Sequence, residues 1–284
     1  MPEGDTIFRT ARTLQRAIGG QEITRFETML PRLARVEIDL RVTGRSVEWV
    51  EPRGKWLLMH FSGGLILLTH LQMNGSWHIY RPGERWKRRR SDMRILIGTP
   101  KMLAVAFSVQ IAEFHSAASV ERRKGLAALG PALLDERFDE EEAVRRLRRM
   151  AGTEIGDALL SQSALAGIGN IFKSETCFTS RVNPFCPVAC LSDADLLRII
   201  RNARQLLLAN AAPAEAAGAV TYFGVRRTTG RADPAQELWV YQRRGEPCRR
   251  CGTPIEARKQ GAGARTTFWC PLCQPAAAKP AGAR

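Results

Sequence analysis

The first residues of the chain carry the functional groups with the most unusual chemistry. An initiator methionine that precedes a proline is normally removed, and the mature chain would then begin at Pro2 with a free secondary amine. An α-amino group has a pKa of about 8, against about 10.4 for a lysine side chain, so more of it is nucleophilic at neutral pH. A secondary amine that attacks a sugar C1′ gives an iminium directly, and the carboxylate of Glu3 could then move protons. Pro2 and Glu3 are therefore candidate catalytic residues, although many chains begin with Met-Pro for no chemical reason.

Four cysteines have the spacing of a metal site. Cys248 and Cys251 form one C-x-x-C pair, Cys270 and Cys273 form another, and 18 residues separate the two pairs. Each pair lets two thiolates hold one ion from a tight turn, and the hairpin between the pairs is too small to hold a core without a metal. We predict one structural Zn²⁺ on these four cysteines, with two redox dithiols as the alternative.

Three polar residues are candidates for contacts with phosphate groups. Asn170 follows a glycine-rich turn at a predicted helix start, where backbone N–H groups and the positive end of a helix bind anions. Arg265 lies on the hairpin between the cysteine pairs, and its guanidinium can fork onto a phosphate. Lys55 follows Arg53-Gly54 at a strand start. Each also has an ordinary interpretation, as a surface side chain or a common helix start.

A predicted hairpin tip combines side chains suited to base stacks. Gln72, Met73 and Asn74 supply an amide, a flexible apolar chain and a turn residue, which is the composition of a wedge between bases. His70 ends the apolar strand before the tip. Most hairpin tips have no such role, and a histidine at a strand end is often simply packed, so both interpretations stay open.

Composition indicates the class of partner. The chain has 284 residues, 44% of them apolar, which is enough for two or three domains. Its net charge of +15 and pI of about 10.3 are typical of a nucleic-acid-binding protein, the alternatives being a merely soluble basic protein or one attracted to anionic lipid. No apolar run approaches the roughly 20 residues of a membrane span, and a signal-peptide pattern is lacking, so a soluble, intracellular protein is expected.

The N-terminal half is predicted to be one helix followed by many short strands. Apolar residues at helical spacing indicate a helix from Asp5 or Thr6 to Ile18, with Asp5 as a plausible N-cap. The region from 21 to about 115 alternates and turns often, which favours a sandwich or barrel. Its basic run, Arg85 to Arg94, is either a solvated loop or a contact to a nucleic-acid backbone. The predicted strands are 46–50, 56–61, 65–71, 75–80, 94–97 and 104–107.

The C-terminal half is predicted to be mostly helical. A segment with proline and glycine, Arg122 to Asp135, reads as a linker. Helices are predicted over 139–150, 156–162, 171–179 and 192–210, the last with a Ser-x-x-Asp start.

Taken together, these residues resemble the formamidopyrimidine-DNA glycosylase and endonuclease VIII family of base-excision repair enzymes. The resemblance runs from Met1 to Gln274, and its parts occur in the family's order. They are Pro2-Glu3, Arg53-Gly54-Lys55, Gly167-Ile168-Gly169-Asn170, Gln236-Glu237-Leu238 with Tyr241, Gly245-Glu246-Pro247-Cys248, and Arg265 ahead of Phe268-Trp269-Cys270-Pro271.

The resemblance implies an α+β multidomain fold. We expect an N-terminal β-sandwich with a leading helix over 1–125, a helix–two-turns–helix domain over 126–240, a zinc ribbon over 241–274 and a disordered tail over 275–284. It also implies a monomer, in the cytoplasm and associated with the bacterial nucleoid, whose partner is double-stranded DNA with damaged bases or abasic sites.

The implied activity is that of a bifunctional DNA glycosylase and lyase. Pro2 would attack C1′ of a nucleotide flipped from the duplex, and Glu3 would assist the proton transfers of β- and δ-elimination. Lys55 is counted with these catalytic residues because it would hold the sugar near the amine. The DNA-binding residues implied are His70, Gln72, Met73, Asn74, Asn170 and Arg265, where Lys55, Asn170 and Arg265 match the family's phosphate contacts.

Two short segments indicate which branch of the family the sequence resembles. Pro2-Glu3-Gly4 looks like the endonuclease VIII branch, whose members favour oxidised pyrimidines, whereas the purine-directed branch usually has leucine as its fourth residue. Ala106 to Val109 lacks the arginine and phenylalanine pair of the purine branch. A glycosylase directed at 8-oxoguanine and formamidopyrimidine is one alternative, and a non-catalytic zinc-ribbon DNA-binding protein is another.

The sequence departs from the family pattern in three places. Thr6 stands where many members have a second glutamate, so that function is absent or taken over by Asp5. The 18-residue spacer of the ribbon is slightly long, which could change how Arg265 is carried. The segment from Arg226 to Asp233 covers a loop that partly decides base choice in the family.

Overall fold

The structure is a computed structural model that describes residues 2–211, 226–231 and 233–276. The chain forms two compact units, the first ending at Ala128 and the second beginning at Leu129 and containing the cysteine-rich segment. Within the described ranges, no helix is both long and apolar enough to cross a membrane.

The first unit is a β-sandwich with a leading helix, as predicted. One sheet has the strand order β1-β6-β7-β5 and the other β2-β3-β4-β8, and all neighbouring strands are antiparallel. The elements are α1 (Gly4–Ile18), β1 (Arg25–Thr28), α2 (Pro31–Leu40), β2 (Val47–Arg53), β3 (Trp56–Phe61), β4 (Leu65–His70), β5 (Ser76–Tyr80), β6 (Met93–Gly98), β7 (Leu103–Phe107), β8 (Ile111–Ser116), α3 (Ala117–Arg122) and α4 (Lys124–Ala127).

One apolar core joins both sheets and the leading helix. Side chains alternate between the two faces of a strand, so every second residue of β3 and β4 points inward. The stripe Ile7, Ala11, Leu14 and Ile18 brings α1 onto the same core. Complete burial of one such aliphatic side chain contributes about 1.5–3 kcal/mol, and this packing fixes where the N-terminus of α1 lies. The strand residues of this core include Leu57, Met59, Phe61, Leu65, Leu67, Trp77, Ile79, Ile95, Ile97, Ala104 and Ala106.

The predicted N-cap of α1 is wrong. Glu3 is the N-cap, and its backbone carbonyl accepts hydrogen bonds from the N–H groups of Thr6 and Ile7 at 3.0 and 3.1 Å. Asp5 lies two residues further on, within the first turn of α1, and is fully buried. A carboxylate in the first turn still opposes the helix dipole favourably, which is why the sequence pattern resembled a cap.

Among the described elements of the first unit, β1, α2, β8, α3 and α4 were not predicted. β1 is short and mostly polar in sequence, and β8 has an irregular burial pattern, so neither shows a period of two. α2 exposes Ile38 and Leu40, which obscures its apolar face. Part of the predicted linker is helical as well, since α4 forms a single turn within it.

The described part of the second unit contains four α-helices and a two-stranded hairpin. Its elements are α5 (Glu140–Arg148), α6 (Ile155–Ala158), α7 (Asn170–Thr179), α8 (Asp193–Ala211), β9 (Glu256–Gln260) and β10 (Arg265–Trp269). Asp139 caps α5 by accepting from the N–H of Glu142 at 2.9 Å. Ser192 and Asp195 form the predicted reciprocal cap of α8. The predicted disordered tail falls outside the described residues from 277 onward.

Candidate nucleic-acid interface and metal centre

Pro2 and Glu3 stand directly before α1. The side chain of Glu3 makes no capping hydrogen bond, so the carbonyl caps the helix and the carboxylate does not. Both residues are buried, Glu3 with no exposed surface. In the intact chain the Pro2 nitrogen is part of the peptide bond to Met1, so its amine exists only after Met1 is removed. The positive end of α1 disfavours protonation of that amine.

Asp5, in the first turn of α1, is the next acidic residue after Glu3 in the sequence. The hydroxyl of Thr6 donates to Asp5 Oδ1 at 3.3 Å, and Arg9 lies 3.5 Å from Asp5 Oδ2. The carboxylate of Asp5 is thus engaged within its own helix.

Lys55 lies at the tip of the β2–β3 hairpin. Gly54 adopts a φ of +60°, a left-handed conformation that favours glycine, and this lets the chain reverse in two residues between Arg53 and Trp56. Lys55 is half-buried and lies close enough to His70 to influence its titration.

His70 is packed at the end of β4 and is neutral at physiological pH. Burial is the main cause that lowers the pKa of His70 to about 4, and the charges of Lys55 and Arg123 contribute to the same shift. Its ring meets Trp56 edge-on at 4.7 Å, and its Nδ1 accepts the backbone N–H of Gln72 at 3.1 Å. His70 therefore fixes the start of the hairpin tip.

The tip from Gln72 to Asn74 is tightly closed and exposed. The N–H of Gly75 donates to the carbonyl of Leu71 at 2.8 Å, and a Cβ on Gly75 would lie 2.5 Å from that oxygen. Gln72 has a φ of +52°, and the side chain of Met73 is 52% exposed. A projecting apolar side chain on a fixed turn has the shape of a wedge.

The basic run after β5 is anchored by an aromatic side chain. Trp86 stacks on Tyr80 with ring centroids 6.1 Å apart, and Arg90 lies over Trp86 at 5.6 Å. The hydroxyl of Tyr80 accepts the N–H of Lys87 at 3.1 Å. Most of the charged side chains of this loop are exposed, which suits a contact with phosphates.

In the second unit, Asn170 joins α7 to the hairpin that carries Arg265. Gly167, with a φ of +113°, turns the chain into α7. Asn170 Nδ2 donates to the carbonyl of Thr266 at 2.9 Å, while its buried Oδ1 has no hydrogen-bond partner among the residues that the structure describes. Arg265 opens β10 and is exposed. The structure thus brings these two predicted residues onto neighbouring elements.

The four predicted cysteines form one cluster. Their Sγ atoms all lie within 4.8 Å of one another, with Cys248 3.9 Å from Cys273 and Cys251 3.4 Å from Cys270. A tetrahedral site with Zn–S bonds of about 2.3 Å requires sulfurs about 3.8 Å apart. These distances fit one zinc ion, as predicted.

One buried residue that supports this region was missed from the sequence. Glu175 has no exposed surface, and its carboxylate accepts the backbone N–H groups of Trp239, Val240 and Tyr241 at 2.8 to 2.9 Å. The hydroxyl of Thr228 also donates to it. A glutamate on the buried face of α7 was the available signal, but its partners lie more than 50 residues away in sequence.

Three parts of the chain match families of known proteins. Residues 1–108 match the formamidopyrimidine-DNA glycosylase N-terminal domain, residues 129–221 match the formamidopyrimidine-DNA glycosylase H2TH domain, and residues 245–276 match a zinc finger found in FPG and IleRS.

Individual relatives match over the whole chain. It is 40% identical over 287 residues to the "Probable endonuclease 8 2" of Streptomyces coelicolor, which covers 100% of this chain and 98% of that protein. It is 35% identical to the "DNA-(apurinic or apyrimidinic site) lyase Nei2" of Mycolicibacterium smegmatis, over 97% of this chain and 100% of that protein.

A solved structure shares the fold. Lactococcus lactis Fpg in complex with DNA containing an abasic site matches with a TM-score of 0.80 at 24% identity, over 96% of this chain and 100% of that one. At this identity the likeness describes the fold alone.

Proposed function

This chain belongs to the formamidopyrimidine-DNA glycosylase family, and from that premise we propose that it is a bifunctional DNA glycosylase and abasic-site lyase of base-excision repair. The observation that carries the proposal is the Pro2-Glu3 start immediately before α1. A terminal imino acid followed by a carboxylate is the minimum equipment for Schiff-base chemistry on a sugar.

The amine of Pro2 attacks C1′ of a nucleotide that has left the base stack. The new C1′–N bond forms as the glycosidic bond breaks, and the base departs with that electron pair and takes up a proton. Ring opening gives an iminium that makes a C2′ proton acidic. Loss of this proton expels the 3′ phosphate, and a second elimination expels the 5′ phosphate, which leaves a one-nucleotide gap.

Glu3 is the proton carrier of this sequence. It assists opening of the sugar ring and accepts the protons whose loss drives each elimination. Its burial supports this role, because a carboxylate shielded from water transfers protons to a bound sugar without competition from bulk solvent.

Lys55, Asn170 and Arg265 contact the phosphates of the damaged strand. Each offers N–H donors, and Asn170 adds the positive end of α7. Gln72, Met73 and Asn74 fill the space that the flipped base leaves, and His70 acts through them by holding the backbone of Gln72. The zinc ion is structural: it stabilises the hairpin that presents Arg265.

Oxidised pyrimidines are the favoured substrates. The Pro2-Glu3-Gly4 start resembles the endonuclease VIII branch, and two relatives are named endonuclease 8 and Nei2, which supports that branch and the preference expected of it. Duplex DNA is the partner, and we expect a monomer that works on the bacterial nucleoid in the cytoplasm.

Borohydride trapping tests the proposal directly. The protein freed of Met1 is mixed with a duplex that contains one abasic site, and borohydride reduces any iminium to a stable adduct. We expect a strong covalent complex with wild-type protein and a much weaker one with Pro2→Gly, because the primary amine of glycine gives a neutral imine that must gain a proton, whereas proline gives the iminium directly.

The matched control is Glu3→Gln, which keeps the amine. It is expected to trap an adduct on the abasic duplex but to release little base from a duplex with thymine glycol. Wild-type protein that binds the abasic duplex yet gives no adduct would leave only a non-catalytic DNA-binding protein. Faster excision of 8-oxoguanine than of thymine glycol, dihydrouracil and 5-hydroxyuracil would contradict the pyrimidine preference.

A further inference from the structure

One face of α7 is bonded to the zinc-ribbon hairpin by buried polar groups. Lys173 is a lysine with no exposed surface, and its Nζ donates to Thr267 Oγ1 of β10 at 2.5 Å. One turn earlier, Asn170 donates to the carbonyl of Thr266. A buried amino group is costly unless its donors are satisfied, so this contact is a specific constraint and not incidental packing.

The contact continues as a directional chain of hydrogen bonds. Thr267 Oγ1 donates to Gln260 Oε1 at 2.6 Å, and Gln260 Nε2 donates to Glu154 Oε2 at 2.8 Å. Every donor points the same way, from the ammonium of Lys173 to the carboxylate of Glu154. Aligned bonds polarise and strengthen one another, so the four side chains act together. We call these four residues the Lys173 relay.

The relay passes through Gln260, the residue directly opposite Arg265. Gln260 and Arg265 are direct cross-strand partners at the top of the hairpin. Arg265 also lies two residues from Thr267, so both leave β10 on the same face. The relay therefore holds the end of the hairpin from which Arg265 projects.

Close backbone packing holds the same hairpin end against α6. A Cβ on Gly156 would lie 2.5 Å from Gln260 Oε1, so a side chain there would displace the relay. Gly261 has a φ of +64°, and a Cβ on it would collide with the carboxylate of Asp157. The hairpin end is thus seated against α6 at two glycines as well as bonded to α7.

We infer that Lys173 is a positioning residue for DNA binding, one that sets β10 against α7 so that Arg265 and Asn170 meet the same strand of DNA in a fixed geometry. The inference rests on the proposed function, in which Arg265 and Asn170 contact phosphates. Lys173 itself is buried and contacts no DNA. Its effect reaches the DNA through Thr267, Gln260 and the strand that carries Arg265.

A double-mutant cycle on the full-length, zinc-loaded protein tests the inference. Kd is measured for a duplex with a tetrahydrofuran abasic analogue, using wild type, Lys173→Met, Arg265→Ala and the double variant. Loss of a charge-assisted phosphate contact is expected to raise Kd about tenfold in Arg265→Ala. In the Lys173→Met background the same change is expected to raise Kd less than threefold, because Arg265 is already misplaced.

Further readouts separate positioning from general stability. Lys173→Met is expected to keep one zinc per chain, and its single-turnover rate at saturating DNA is expected to fall far less than its affinity. Lys259→Met is the matched control, since it removes the same charge from an exposed position of β9. The effects of Lys259→Met and Arg265→Ala on the free energy of DNA binding are expected to be additive.

Thr267 provides a second route if Lys173→Met does not fold. Thr267→Val breaks the relay and is expected to reproduce the loss of coupling, whereas Thr267→Ser keeps the hydroxyl and restores it. An Arg265→Ala effect of the same size in all backgrounds overturns the role of Lys173 and leaves the proposed function standing. An Arg265→Ala variant that binds as well as wild type overturns both the positioning role and the proposed phosphate contact.

Discussion

At the scale of single residues, the environment decides what each candidate side chain can do. His70 illustrates this, because the sequence left it open whether the ring is packed or contacts DNA. The structure shows a packed, neutral ring that accepts the N–H of Gln72. A neutral acceptor serves that bond, since protonation of Nδ1 would remove it.

The titration of His70 is a direct test of this environment. The folded pKa of about 4 lies below the ordinary value of 6.5, so the folded state binds fewer protons than the unfolded state. The stabilisation is present above pH 6.5 and is lost as the pH falls towards 4. The histidine C2-proton NMR signal that disappears in His70→Gln is expected to titrate near pH 4.

The charge of Lys55, beside His70, provides a control for the NMR titration. Lys55→Met removes one cation beside the ring and is expected to move the His70 pKa upward while burial still keeps it below 6.5. A signal that titrates at 6.5 in wild type would mean that the ring is solvated and does not support the tip.

The functions of the candidate residues near the two ends of the chain could be predicted because they depend on residues close together in sequence. Pro2 with Glu3 and the four cysteines depend on adjacent positions or short spacings. Glu175 and Lys173 were not predictable, because each is a charged residue in a helix whose partners lie more than 50 positions away. Only the tertiary structure turns these charges into buried constraints.

At the scale of elements, the zinc ribbon connects metal binding to recognition. The two C-x-x-C turns fix the ends of β9 and β10, and the relay fixes their opposite end. Strand prediction succeeded where apolar runs were long, as for β3, which matches its predicted bounds. It failed for β1, whose four residues are held by pairing to β6 and not by a pattern of their own.

Loss of one zinc ligand is expected to disable the ribbon. Cys251→Ser is expected to lose the metal and to weaken binding to the abasic duplex at least tenfold, because Arg265 lies on the hairpin that the metal stabilises. Cys190→Ser is the matched control, since Cys190 is exposed and lies outside the cluster. Zinc is measured by mass spectrometry of the purified protein. Full affinity in a metal-free variant would make the metal dispensable for DNA binding.

At the scale of the whole molecule, net charge overstates the number of contacts available to DNA. Several arginines are committed to the fold. Arg148 donates to the carbonyls of Val188 and Leu191, and Arg243 donates to those of Trp239 and Pro247. The composition predicted a nucleic-acid partner, but it could not separate these internal arginines from exposed ones such as those of the basic run.

Salt dependence measures how many charges reach phosphates. The logarithm of the association constant is expected to fall linearly with the logarithm of salt concentration, by about 0.9 per phosphate contacted. The slope should correspond to clearly fewer contacts than the net charge of +15. Arg89→Ala, at an exposed position of the basic run, is expected to reduce the slope by about 0.9, whereas Arg243→Lys should leave it unchanged. A flat response to salt would contradict the electrostatic interpretation.

The alternation of faces along β10 restricts which changes in length the ribbon can accept. Arg265 and Thr267 share a face, and Cys270 follows at a fixed offset. Removal of one residue between Arg265 and Cys270 would invert the strand, turning the arginine away from α7 and the hydroxyl into water. Natural insertions and deletions should therefore collect in the turn at 261–264, where a longer chain only widens the bend, and should be rare in the strand itself.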